Sequence, residues 1–213
     1  MLQCKIIDLA TYKRLPYFKL FSRMENPFLS VTVKFDVGTV VDFCKRKNCS
    51  FYTVMIHLVS IVVNRIPEFR HRIYNEGIIE YDNCLSSNIE ILDDNTYCYC
   101  YLKHNMDWDS YLSYAEEERA KARANPTSIE NSDILNFFYL FGVPGRAYEH
   151  ITLPFMNSKD SNPRISWSSY EEDFKGRLMM PLTLQVHHAL VDVYHVDQFF
   201  DNLEEEIEKL RVI

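Results

Sequence analysis

The chain has no stretch rich in proline, glycine or serine that would divide it into separate folding units, and no low-complexity run. With 213 residues, 47% of them hydrophobic, it is long enough for one large core, so a single domain over residues 1–213 is expected. A surplus of positive charge is also missing. Lys and Arg number 23 against 30 Asp and Glu, a net charge of −7, which excludes the basic face that a nucleic-acid partner needs. The oiliest run, "FYTVMIHLVSIVV", has thirteen residues and holds His57 in its middle, too short to span a bilayer. The first residues, "MLQCKIIDLATYKRLPYF", lack the basic start, apolar centre and small-residue cleavage site of a secretory signal. A soluble, cytoplasmic protein without a membrane partner is expected. The six cysteines form no C-x-x-C pair, which favours free thiols over disulfides or zinc.

What is present alternates between two periods. "FLSVTVKFDVG" sets Leu29, Val31, Val33, Phe35 and Val37 against polar neighbours, the pattern of a half-buried strand. "SFYTVMIHLVSIVVNRIPEF" is apolar nearly all round and predicts a central helix, with Ser50 as its N-cap. "DLATYKRLPYFKLFSRM" predicts a first helix capped by Asp8 or Thr11, and "VVDFCKRKN" another. "GIIEYDN", "SNIEILDD", "NTYCYCYLKH", "FFYLFGVPG" and "HITLPFMN" read as short strands. "DWDSYLSYAEEERAKARAN" reads as a helix whose Glu116, Arg119 and Lys121 belong to a solvated face. Two strands joined at Lys175-Gly176 and a last helix striped by Val196, Phe199, Phe200, Leu203, Ile207 and Leu210 complete the chain. Strands and helices mixed in this way predict an α/β fold, a two-layer sandwich around a mixed β-sheet.

Within it, "LQVHHALVDVYHVDQFF" gathers three histidines and an aspartate among oily residues. Successive strand residues point to opposite sides, so His187 and His188 have different surroundings. Three readings compete: packing histidines with Asp192 as a helix cap; a metal site of His188, Asp192 and His195, which needs helix to begin before Ala189; or a neutral imidazole acting as general base.

"QVHHALVDVYHVDQFFDNLEE" resembles the H-H-x-x-x-D-G-x-H signature of the chloramphenicol acetyltransferase family. "WSSYEEDFKGRLMMPLTLQVHH" is similar to that family's aromatic-containing strand, turn and entry to the histidine pair. "SFYTVMIHLVSIVVNRIPEFRHRI" and "YKRLPYFKLF" resemble two of its helices. The resemblance runs nearly end to end and implies a CoA-dependent acyltransferase fold, a homotrimer with active sites between subunits, and acetyl-CoA as co-substrate with no metal. It implies O-acetylation of a small alcohol, with chloramphenicol the first candidate. His188 falls at the base, and Asp192 and Arg14 at a buried ion pair, whose loss of one partner would cost roughly 3–5 kcal/mol. Ser166 falls at a residue near the transition state and Tyr170 at one against the CoA adenine.

Two positions depart from the pattern. Val193 stands where the family has glycine, and a positive φ there would strain a β-branched residue. In "EHITLPFMN" the family's oxyanion-binding serine falls at Ile151 and a tryptophan at Phe155. Losing such a donor typically costs about 10²–10³ in turnover, unless the register slips by one and Thr152 supplies it. The alternative function is therefore a weak or inactive trimer that binds CoA or a small molecule, or one that acetylates another acceptor. Tyr97, Tyr99 and Tyr101 alternate along one strand as core or interface residues, or as one wall of a pocket.

Overall fold

A computed structural model describes residues 4–127, 134–143 and 145–213. In chain order the strands and helices are β1 (Cys4–Ile6), α1 (Leu15–Phe21), β2 (Phe28–Asp36), α2 (Gly38–Lys47), α3 (Phe51–Arg65), β3 (His71–Tyr74), β4 (Gly77–Tyr81), β5 (Leu85–Ile91), β6 (Tyr97–Leu102), α4 (Trp108–Ala124), β7 (Phe137–Gly142), β8 (Arg164–Trp167), β9 (Glu171–Glu172), β10 (Leu178–His187) and α5 (Val193–Lys209). The main sheet runs β2-β10-β8-β7-β5-β6, with β9 paired to β10, and a three-stranded sheet runs β1-β4-β3. Because β5, β7 and β8 are parallel while β2, β10 and β6 pair antiparallel, the main sheet is mixed, as predicted.

Helix α3 is buried on all sides but its ends, from Thr53 through Val63, which is why its sequence shows no polar stripe. The stripe predicted on α5 is buried throughout, each of its large side chains contributing about 1.5–3 kcal/mol. On the helix side of the sheet Leu29, Val31, Val33 and Phe35 of β2 join Leu182, Leu184 and Val186 of β10 in one core. The alternate residues Thr32, Thr183, Gln185 and His187 turn to the opposite face. The segment from Gly145 to Pro163, without helix or strand, lies across that face. It is held by side chains of the sheet: Thr32 to His150 (2.8 Å), Gln185 to the Leu153 N–H (2.7 Å), Arg164 to the Pro154 carbonyl (2.9 Å) and His187 to the Ser158 carbonyl (2.9 Å).

Four expectations change. "HITLPFMN" is not a strand but belongs to this covering segment. The first helix starts at Leu15, after Asp8 has closed a turn onto the Ala10 N–H (2.9 Å), because Pro16 tolerates only the first turn of a helix. Ser50 occupies the N-cap position of α3 without a side-chain cap bond. Arg119 leaves the solvated face of α4 and turns inward to Glu90 of β5 at 2.6 Å, while Lys121 does pair with Glu117 and Glu118 on the surface. Strands β1 and β3 were not anticipated. Among the described residues no helix is long and apolar enough to cross a membrane.

Candidate active site

Strand β10 ends at His187, and the chain turns through Ala189–Val191 into α5. The two histidines diverge there. His187 is buried against the edge of the Phe28 ring. Its Nε2–H donates to the Ser158 carbonyl and its Nδ1 accepts the Ala189 N–H (3.2 Å), a neutral tautomer in agreement with a pKa pushed below the usual histidine value by burial. His188 is half-buried and stacks on Phe21, ring centroids 4.0 Å apart. Its Nδ1 lies 3.0 Å from the Val191 carbonyl. A carbonyl only accepts, so Nδ1 carries the hydrogen; in the neutral ring the lone pair then stands on Nε2, which has no bonding partner among the described residues.

Asp192 caps α5, accepting the Val193 N–H at 2.8 Å. Its other oxygen lies 2.9 Å from Arg14 Nη1, while Arg14 Nη2 reaches the His188 carbonyl at 3.5 Å. Arg14 sits at the entrance of α1, so this pair ties the first helix to the turn that carries His188. The guanidinium, followed by the helix N–H, holds the Asp192 carboxyl below its ordinary pKa. The pair is less enclosed than expected, with side chains 16% and 32% exposed, and water lowers what it contributes. Arg14→Ala should cost about 1–3 kcal/mol, between exposed and buried pairs, read as a shift in urea midpoint. It should slow turnover as well, because the His188 backbone loses its tether.

The metal arrangement does not form. His195 lies inside α5, its Nδ1 accepts the Asp192 N–H at 3.0 Å, and its Nε2 faces Glu68 at 3.6 Å. The three side chains thus serve different partners, and no group of three or more such ligands gathers among the described residues. Val193 is the first residue of α5, with φ outside the left-handed region and its side chain 52% exposed, so the expected strain is absent.

A second group of polar residues lies further along the sheet. Ser166 on β8 pairs in register with Thr183 on β10, which pairs with Thr32 on β2. Thr183 and Thr32 share a hydrogen bond of 2.8 Å. His150 joins the Thr32 hydroxyl through Nδ1 and the Thr152 hydroxyl (3.0 Å) through Nε2. The Ser166 hydroxyl is buried with no hydrogen-bond partner among the described residues, and Ser166 lines a narrow cleft with His150, Ile151 and Thr183. His188 follows Thr183 by five positions, just past the end of β10, roughly 16 Å of extended chain. The chain therefore brings Arg14, Asp192 and His188 together but leaves Ser166 and Thr152 apart from them. His150 was not foreseen; its segment reads as a strand in the sequence, and strand alternation does not mark a residue that bridges two hydroxyls.

Tyr170 lines a third feature, a cavity of about 700 Å³ at the carboxyl ends of the parallel strands β5, β7 and β8, where open α/β sheets commonly bind ligands. Its ring faces Phe51 with centroids 5.3 Å apart. Gly142 contributes to the wall: a Cβ there would come 2.7 Å from the Tyr52 ring and 3.0 Å from Trp167 Nε1, so only glycine lets these side chains close over the strand. Trp167 and Ser168 border both the cavity and the Ser166 cleft, which places the two side by side at the end of β8. The remaining sequence candidates, Tyr97, Tyr99 and Tyr101, form a ring ladder continued by Phe137.

The sandwich is a fold found in solved acetyltransferases. It aligns with a solved chloramphenicol acetyltransferase at TM-score 0.79 and 24% identity over 97% of this chain and 98% of the other. It also aligns with a probable dihydrolipoamide acetyltransferase from Listeria monocytogenes at 0.65 and 16%, covering 97% and 94%. The family profile described as chloramphenicol acetyltransferase matches residues 2–204, and the chain belongs to that family of acyltransferases. Relatives of that name include one from Vibrio anguillarum, 28% identical over 99% of this chain and 97% of its own length. Another, from Clostridium perfringens, is 24% identical over 94% and 93%.

Proposed function

We propose that this chain transfers the acetyl group of acetyl-CoA to a hydroxyl of chloramphenicol or a similar small alcohol, as a cytoplasmic homotrimer whose sites lie between copies. The free Nε2 of His188, left by the bond from Nδ1 to the Val191 carbonyl, is the observation that carries this reading. Nε2 takes the acceptor's hydroxyl proton as its oxygen attacks the thioester carbonyl carbon. The tetrahedral adduct then expels CoA sulfur, which receives the proton back from His188, leaving an ester and free CoA. Arg14 and Asp192 hold the imidazole in place through the turn. The donor occupies the large cavity with its adenine against Tyr170, and its thioester end lies toward the adjoining Ser166 cleft.

Ser166 and Thr152 supply hydrogen bonds to the adduct. Ser166, opposite Thr183, is too far from His188 along the sheet to meet the same carbonyl within one copy, which supports a site completed by a neighbour. The Ser166 hydroxyl is the readier donor, because Thr152 already pairs with His150. Burying an unpaired hydroxyl costs stability, so Ser166→Ala should leave the melting temperature unchanged or higher. It should lower kcat about tenfold or more, as loss of a transition-state donor does; a drop in both stability and rate would mark Ser166 as structural instead.

Thiol release from acetyl-CoA with purified protein and chloramphenicol, then with a panel of alcohols, tests the reaction. Release dependent on the acceptor supports it. Binding of CoA without turnover for any acceptor would favour a non-catalytic family member, the reading motivated by Ile151 at the place of the oxyanion serine. Light scattering should give three times the mass of one chain.

A further inference from the structure

Acetyl transfer makes no use of the charged corner of the large cavity. Glu90 is a buried carboxylate on β5 that accepts hydrogen bonds from Arg119 Nε (2.6 Å) and Nη2 (3.1 Å) and from Arg123 Nη1 (2.7 Å). Arg119 gives a further bond to the Thr53 hydroxyl (2.9 Å) and lies 5.6 Å from the Tyr52 ring centroid, so its fork is fully engaged. Arg123 is not. Its side chain is 38% exposed, and among the described residues its Nη2 faces only the Glu116 carboxylate at 3.7 Å, outside hydrogen-bond reach.

Among the described residues that line the cavity, two guanidinium groups meet one carboxylate, an excess of one positive charge on its wall; Glu116, the other carboxylate near Arg123, stands off that wall and outside hydrogen-bond reach. In a chain of net charge −7 this is a local reversal of sign beside aromatic walls. A neutral ligand would gain nothing from it, whereas one joining an aromatic ring to a phosphate fits both.

We propose that Arg123, positioned by Glu90 beside Arg119, binds a phosphate group of the acyl donor. This rests on the reading of the cavity as the CoA site. The bland alternative is that the three residues only fasten α4 to β5, in which case ligand affinity is indifferent to Arg123.

Titration calorimetry on the full-length protein with CoA and with 3′-dephospho-CoA separates these. Arg123→Gln should weaken CoA about tenfold, the loss of one charge-assisted contact, and Arg123→Lys, which keeps the charge, should recover most of it. If only CoA is weakened, the 3′-phosphate is the group held; if both ligands weaken alike, it is the diphosphate; either supports the proposal. Affinities within twofold of the unmodified protein for both ligands, in an Arg123→Gln protein that melts normally, would overturn it. The unmodified chain offers a test free of folding effects: raising NaCl from about 50 to about 500 mM should weaken CoA about fivefold through screening, and a flat response would also overturn the proposal. An unmodified chain that binds no CoA removes the donor-site reading itself, and this proposal with it.

Discussion

Replacing His188 with alanine or glutamine should lower kcat by about 10²–10⁴-fold, the contribution of a positioned general base, with CoA affinity and melting temperature nearly unchanged. The stability half of this expectation follows from packing. His188 is half-buried, and its side chain makes one hydrogen bond, to the Val191 carbonyl. His187 provides the contrast within the same pair: it is buried, bonded at both ring nitrogens and fastened to Ser158, so its replacement should destabilise the protein rather than act on chemistry alone. Steady-state thiol release and thermal melting of the two variants, measured together, decide the matter. A His188→Ala protein retaining more than a tenth of the turnover would remove the base from the proposed mechanism.

Acid should unfold this protein in a range where most of its carboxylates are still charged, and His57 should be a leading cause. This residue lies in the middle of α3, stacked on Tyr111 with centroids 3.7 Å apart and against the edge of Trp108 at 4.5 Å. Its Nδ1 is buried without a hydrogen-bond partner among the described residues. Burial, followed by the neighbouring His104 and opposed by Glu206, pushes its pKa down to about 3. Between that value and about 6.5 the unfolded chain binds a proton that the folded chain refuses, so stability falls as pH falls through this window. The loss attributable to His57 is about 2 kcal/mol on going from pH 7 to pH 5 and about 3–5 kcal/mol by pH 3. That is a large fraction of an ordinary net stability. Urea midpoints across pH 4–7 should show the slope, and His57→Phe, which keeps the stacking ring and loses the titration, should flatten it. An unaltered slope in that variant would place the acid sensitivity elsewhere.

The contrast between what could and could not be read from the sequence is physical. Elements with one clean period, β2, α3 and α5, were legible because a single face or a whole cylinder is buried. Strand β5 shows how the same logic misleads. Its polar residues Ser86, Asn88 and Glu90 are buried, as is Ser87 on the other face, whereas alternation suggests that the polar side faces water. Arg119 was hidden by its charged neighbours, although its spacing of four from Ala115 and eight from Tyr111, both buried, puts it on the inner face of α4. The turn carrying Arg14, His188 and Asp192 came from a resemblance of motif, since no periodicity links residues 178 apart in sequence. The His150 chain and the Ser166 cleft depend on how an aperiodic segment drapes over the sheet, which no local pattern encodes.

The draped segment from Gly145 to Pro163 has a consequence for how such an enzyme changes its diet. It is fastened by individual side chains rather than by a ladder of strand pairing, so an insertion or deletion in it forfeits a few bonds and leaves the sheet register untouched. The cavity proposed for the donor draws its main walls from strand ends and helices. Under the proposed reading, with Thr152 of this segment at the adduct, new acceptors open to the lineage by rewriting one strip of chain while the acetyl supply stays as it was.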